Sequence, residues 1–247
     1  MEVGFKSDKG LKRSNNEDAC FVFLADKVYL VADGVGGGNA GEIASRTAVK
    51  EIANYIEDHP LAEATNKYAV VNYLHACLDK TNEEIFEKAR RYEENKGMAT
   101  TAAIVYIKGG KAYIANVGDS RLYLLRDDLC QVTRDHSLVE EMVAQGKMER
   151  DSEFYRLQKN IITRAMGISP QVRIDFFEVP LMEGDCVLLC SDGLTNMVDD
   201  AGISRILKTT DTLEEKTEAL IHAANENGGK DNIAVVLVEP QISEVRL

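Results

Sequence analysis

Short apolar runs recur at Cys20 to Leu24, Val28 to Ala32, Thr101 to Ile107, Lys111 to Val117, Arg121 to Arg126, Val172 to Val179, Cys186 to Cys190 and Ile233 to Val238. Their length and alternation predict strands. Gly109-Gly110 lies between two of these runs and predicts a tight hairpin turn, because both residues tolerate positive φ; neighbouring strands are then antiparallel. Two longer stretches, Ala40 to Glu57 and Asn66 to Glu94, are rich in Ala, Glu, Lys and Leu. Val70, Leu74, Cys77, Leu78, Ile85, Phe86 and Ala89 fall at helical spacing, so both stretches are expected to be helices covering a sheet. Further helices are predicted at Ser137 to Gln145 and Thr212 to Asn225, the second opening with Thr212 and Glu215 in capping-box spacing. Hairpins in blocks separated by helices argue for α+β layers over a regular βαβ alternation.

Composition narrows the class. The 247 residues, 45% of them hydrophobic, suffice for one large core, and no Pro-rich, Ser-rich or like-charge block divides them, so a single domain over residues 1–247 is expected. The longest apolar runs fall far short of the roughly 20 residues of a membrane-spanning helix, and the first residues carry no signal-like segment, which points to a cytoplasmic protein with no membrane partner. Lys and Arg total 29 against 41 Asp and Glu, a net charge of −12, which argues against nucleic acid as a partner. Cys20, Cys77, Cys130, Cys186 and Cys190 are odd in number and scattered, which favours reduced core thiols over a disulfide framework.

Several chemistries fail on spacing. Gly36 to Gly41 formally satisfies G-x-G-x-x-G, but the next 20 or so positions are helical where a dinucleotide fold needs a second strand ending in an acid. There is no phosphate-binding G-x-x-x-x-G-K-[ST] motif. A cysteine phosphatase needs an arginine six positions after its thiolate; those positions hold Asp26, Glu83, His136, Asp192 and Asn196. Zinc lacks a Cys-x-x-Cys, and His59, His75, His136 and His222 are isolated from one another; His136 and Glu140, four apart, read as a surface contact on a helix face.

Aspartates where apolar strands stop are more informative. Val28 to Ala32 runs into Asp33-Gly34, and Val187 to Ser191 runs into Asp192-Gly193, while Asp231 directly precedes Ile233 to Val238 and Glu17-Asp18 precedes Cys20 to Leu24. An acid at a buried strand end stands on a rigid scaffold, and a following glycine lets a backbone carbonyl approach a cation. Clustered carboxylates repel unless a cation compensates them, and an all-oxygen shell suits Mg²⁺ or Mn²⁺. Arg13, near the acidic pair, has the planar fork that holds phosphate oxygens.

Six segments, Arg13 to Asp18, Val31 to Gly37, Gly97 to Thr101, Asn116 to Arg121, Ser191 to Leu194 and Lys230 to Ile233, resemble in order the motifs of the metal-dependent Ser/Thr protein phosphatases of type 2C, in their compact bacterial form. The resemblance implies a four-layer αββα sandwich, two antiparallel sheets flanked by helices, with the metal site at one edge. It implies two Mn²⁺ or Mg²⁺ ions bridged by Asp33, with the Gly34 carbonyl on one and Asp192 and Asp231 on the other. Asp18 and Glu17 would support through coordinated water, Asn232 would brace the site, and Arg13 would bind the substrate phosphate. Asp119 is implied as a ligand of a third, weaker ion shared with Asp192; its alternative is a turn residue in a hairpin between Val117 and Arg121. The polar segment from Gly146 to Glu153 corresponds to the family's flap beside the active site, a plain surface loop being the other reading.

The activity so implied is hydrolysis of phosphoserine and phosphothreonine in proteins by a metal-bridging hydroxide, in a monomer acting opposite a bacterial Ser/Thr kinase. Two departures stand out. Where relatives carry a histidine after the Asp-Gly or the following Gly-Gly, this chain has Val35 and Gly38, and the central glycine of the Gly-Met-x-Thr-Thr segment is Ala99, expected to be a packing change. The lost histidine keeps open a phosphoprotein-recognition module without turnover, and a small-molecule phosphomonoesterase is the third alternative.

Overall fold

The structure, a computed structural model, describes residues 2–37, 40–61, 64 and 66–241, so the predicted departure at Gly38 lies outside the described residues. Eleven described strands form two sheets: β1 (Glu2–Asp8), β2 (Asp18–Phe23), β3 (Val28–Val35), β4 (Ala99–Thr100), β5 (Ala102–Lys108), β6 (Lys111–Val117), β7 (Arg121–Leu125), β8 (Leu129–Gln131), β9 (Asp175–Pro180), β10 (Cys186–Cys190) and β11 (Ile233–Glu239). One sheet runs β1-β11-β10-β7-β8, and the other β2-β3-β5-β6-β9 with β4 added on β3. Pairing between neighbours is antiparallel, and the β5–β6 hairpin turns at Gly109 and Gly110 with φ of 56° and 70°.

The strand runs are continuously apolar because both faces of each sheet are covered. Along β3, Val28, Leu30 and Ala32 pack under helices α1 (Ala40–Asp58) and α2 (Lys67–Arg91), while Tyr29 and Val31 pack between the sheets. Along β11, Ile233, Val235 and Leu237 meet the helices α5 (Asp192–Thr195), α6 (Asp200–Leu207) and α7 (Leu213–Glu226), while Ala234, Val236 and Val238 fill the inter-sheet core. These three cores separate four layers, helices, sheet, sheet, helices. Among the described residues no helix is long and apolar enough to cross a membrane.

Local chemistry accounts for the helix ends. Asn66 caps α2 by accepting the Ala69 N–H, and Thr212 and Glu215 close the capping box predicted for α7. Ser137 caps α3 (Leu138–Ala144). Ser152 caps a short α4 (Glu153–Gln158) that begins at the last residue of the polar segment, while the rest of that segment, from Gly146 to Ser152, lies outside any helix or strand. Ala99 is buried in β4 opposite Val35, as a packing position should be. Of the cysteines, Cys77, Cys186 and Cys190 are buried free thiols, whereas Cys130 is exposed and Cys20 half-buried.

Candidate metal centre

Strand alternation decides where the acids point. In β3 the inter-sheet series Tyr29, Val31 continues to Asp33, and in β2 the series Val22, Cys20 leads back to Asp18. Register sets Asp18 directly opposite Asp33. The other sheet brings Asp192 at the end of β10 and Asp231 just before β11. Asp119 lies where the chain crosses from β6 in one sheet to β7 in the other, so it does not sit in a hairpin between them. Two further details differ from the strand-end reading: Asp33 and Gly34 are inside β3, and Asp192 opens α5.

The acids ring a cavity of about 260 Å³ lined by Arg13, Glu17, Asp33, Gly34, Val35, Gly36, Asp119, Asn160, Ile162, Asp192 and Asp231. Asp18 stands behind Asp33, lining a neighbouring groove with Ser7, Asn16 and Arg46, and accepts the Ser191 hydroxyl proton at 2.6 Å. Asn232 lies outside the cavity as a bracket: its Oδ1 accepts the Glu17 N–H at 2.8 Å, and its Nδ2 donates to the carbonyls of Lys9 and Asn15. Arg13 reaches the rim and donates to Asp231 Oδ2 at 2.8 Å.

Residues that carried no assigned role in the sequence hold these groups still. Thr101 Oγ1 accepts the Asp33 N–H at 2.9 Å, while the Thr101 N–H and Thr100 hydroxyl donate to the Asp33 carbonyl. Ser191 Oγ, besides donating to Asp18, accepts the Ala234 N–H, which joins the two sheets at the site. Asn196 donates to Asp192 Oδ2 at 2.9 Å. His136 precedes α3 and is buried; its Nδ1 accepts the Gly118 N–H at 3.0 Å and its own N–H donates to the Gly118 carbonyl, bracing the turn that carries Asp119. Its expected helix-face contact with Glu140 is therefore replaced by a buried brace, and Glu140 turns to other partners. Ser191 abuts the Asp192-Gly193 pair, which was the available signal for it; no acid neighbours Thr101 in the chain, and nothing local to His136 pointed to Gly118.

Electrostatics mark the cavity as incomplete. Burial pushes Asp18 up to about 8, helped by Asp192 and Asp231 and resisted by the Ser191 hydrogen bond. Burial and the charges of Asp18, Asp192, Asp119 and Asp231 hold Asp33 well above the usual carboxylate range. Asp119 rises to about 8 and Asp192 to about 6, both chiefly by burial. Carboxylates so placed prefer to be neutral until a cation arrives. Among the described residues no three His, Cys, Asp or Glu side chains form a group that could hold an ion unaided. The acids of the lining offer oxygen donors only, which fits a hard divalent cation that keeps part of its water shell, as Mg²⁺ does.

Residues 11–237 match the sequence model of the family described as Protein phosphatase 2C. The serine/threonine phosphatase stp of Listeria innocua is 40% identical over 249 aligned positions, covering 99% of this chain and 98% of that protein. The crystal structure of the serine/threonine phosphatase Stp1 from Staphylococcus aureus superposes with a TM-score of 0.89 at 33% identity, covering 98% of this chain and 95% of that one. A structure of the catalytic domain of the serine threonine protein phosphatase PstP, in complex with two manganese ions, superposes with a TM-score of 0.84 at 32% identity and covers 96% of each chain.

Proposed function

This chain belongs to the protein phosphatase 2C family of metal-dependent protein serine/threonine phosphatases, and from that premise we propose that the acidic cavity at the end of the sandwich is its catalytic centre. The observation that carries the reading is the convergence of Asp33, Asp119, Asp192 and Asp231, drawn from both sheets, on one cavity with a single arginine at its rim. Asp33, the Gly34 carbonyl, Asp192 and Asp231 would hold two Mn²⁺ or Mg²⁺ ions, and Asp119 with Asp192 a third. Bound divalent cations supply activation of water and neutralisation of phosphate charge.

The chain's own residues do the rest. Ser191 holds Asp18, which stands directly opposite Asp33, and Thr101 fixes Asp33 along the backbone. Arg13, poised on Asp231, turns its fork to the phosphate oxygens of a bound phosphoserine or phosphothreonine. Among the described residues no histidine lines the cavity and Val35 occupies the rim, so the proton for the departing alkoxide comes from water or from another acid at the site. The physiological substrates are phosphoproteins produced by an opposing Ser/Thr kinase.

The test is phosphate release from a phosphothreonine peptide. Turnover with Mn²⁺ or Mg²⁺ that stops in chelator supports the reading; turnover that survives chelator overturns the role of the metal. Phosphopeptide binding without phosphate release at saturating Mn²⁺ would instead support a recognition module. A higher kcat/KM on p-nitrophenyl phosphate than on any phosphopeptide would mark a small-ester hydrolase.

A further inference from the structure

Glu140, on the inner face of α3, is 5% exposed, yet it is a carboxylate. A buried charge of this kind is tolerated only with well-placed partners. Its side-chain partners both come from the flap: Arg150 donates Nε to Oε1 at 2.9 Å and its terminal nitrogen to Oε2 at 2.8 Å, and the Tyr155 hydroxyl donates to Oε1 at 2.6 Å. The bidentate fork and the phenol together fix both the position and the orientation of residues 150 to 155. Little else holds them, since α4 buries none of its residues.

Beyond α4 the chain is tied back to the same helix. The Leu138 N–H donates to the Ile161 carbonyl at 2.8 Å, Ser137 and Ile162 form an isolated bridge, and the Thr163 hydroxyl donates to Glu141 at 2.7 Å. Asn160 and Ile162 then line the catalytic cavity. The path from Glu140 to the cavity rim is therefore short: clamp, α4, rim.

We propose that Glu140 is a positioning residue for phosphoprotein recognition, holding the flap through Arg150 and Tyr155 so that the Asn160 to Ile162 rim meets the chain on either side of the phosphorylated residue. The inference rests on the cavity being the catalytic centre. The phosphoryl group itself is met by Arg13 and by the ions that the acids would hold, on elements the clamp does not touch, whereas a peptide extends beyond them onto the rim. Loss of the clamp should therefore damage peptide recognition and spare the reaction of a small ester.

The experiment compares wild type with Glu140→Gln, Arg150→Met and Tyr155→Phe on a phosphothreonine peptide and on p-nitrophenyl phosphate, at saturating Mn²⁺. Arg150 is mostly exposed, so that variant remains informative if Glu140→Gln fails to fold. The expected result for Glu140→Gln and Arg150→Met is a peptide KM raised about tenfold, with kcat/KM on the small ester within about twofold, together with faster protease cleavage between residues 146 and 160. Adding Glu140→Gln to Arg150→Met should raise KM little further, since one clamp is broken either way. Equal losses on both substrates, or an unchanged peptide KM, would overturn the positioning role while leaving the catalytic centre standing. A wild-type protein inactive on both substrates would overturn the centre and the inference with it.

Discussion

Asp18, buried, and Asp33, half-buried at the cavity wall, face each other across the β2–β3 ladder, two carboxylates directly opposed on the inter-sheet face. Burial, with the repulsion of neighbouring aspartates, raises both above their ordinary values, Asp18 to about 8. In the metal-free protein each is thus better accommodated neutral than charged. The sign follows: the contribution of these two groups to stability is fully present below the unfolded carboxylate range near pH 4 and is lost as pH climbs towards 8. Asp18→Asn can still accept the Ser191 hydroxyl but carries no charge. In chelator at pH 8 it should melt above wild type by about 4–8 °C, the effect of roughly 2 kcal/mol in a domain of this size. At pH 4 the gain should vanish. A gain that is the same at both pH values, or absent at both, would remove the repulsion argument.

Removal of the central charge should separate fold from chemistry. Asp33→Asn keeps the backbone bonds to Thr100 and Thr101 and nearly the same shape. Its kcat/KM on a phosphopeptide should fall about 100-fold or more, and its Mn²⁺ affinity with it, while the chelator-treated protein melts no lower than wild type. Calorimetric Mn²⁺ titration beside a melting curve distinguishes this from simple unfolding. Full activity in this variant would exclude Asp33 from the metal set.

Arg13 bonds Asp231 before any substrate arrives. Replacing it with lysine keeps the charge and loses the planar fork, so peptide KM should rise about tenfold with a smaller change in kcat. Arg13→Ala should be worse for substrate but should not weaken Mn²⁺ binding, because Asp231 loses a competing cation. A Kd for Mn²⁺ that rises in Arg13→Ala would mean the arginine braces the metal site and does not serve the phosphate.

What the sequence disclosed follows how locally each feature is determined. β6 and β10 match their predicted apolar runs because burial on both faces writes an uninterrupted signal. β1 escaped notice: in Glu2–Asp8 only Gly4 is buried and Phe5 is largely exposed, and the strand exists because β11 pairs with it more than two hundred residues later. The three-residue β8 and the short α6 carried too little pattern to read. The Asp-Gly pairs after apolar runs flagged Asp33 and Asp192, yet neither the opposition of Asp18 and Asp33 nor the Ser191 bond between sheets is visible locally, since register belongs to the folded chain. Glu140 was legible only as a neighbour of His136; burial sends the two side chains to different partners.

Gly193 offers the sharpest geometric test. It follows Asp192 as Asn232 follows Asp231, and a Cβ built on it would lie 1.8 Å from the Asn232 carbonyl oxygen. The contact is backbone against side-chain stem, so no rotamer change relieves it. Since real Cβ contacts essentially never fall below 3.0 Å, Gly193→Ala must drive α5 and the Asp231-Asn232 turn apart by 3.0 − 1.8 = 1.2 Å or more. That movement separates the two carboxylates we propose for one ion and disturbs the Asn232 bracket on Glu17. Displacements of this order can cost about 100-fold in rate, so kcat should fall on that scale and Mn²⁺ should bind more weakly. Both p-nitrophenyl phosphate and phosphopeptide should suffer alike, in contrast to the split expected when the flap clamp is broken. Gly193→Ala with normal Mn²⁺ affinity and normal turnover would show that the spacing between Asp192 and Asp231 does not govern the site.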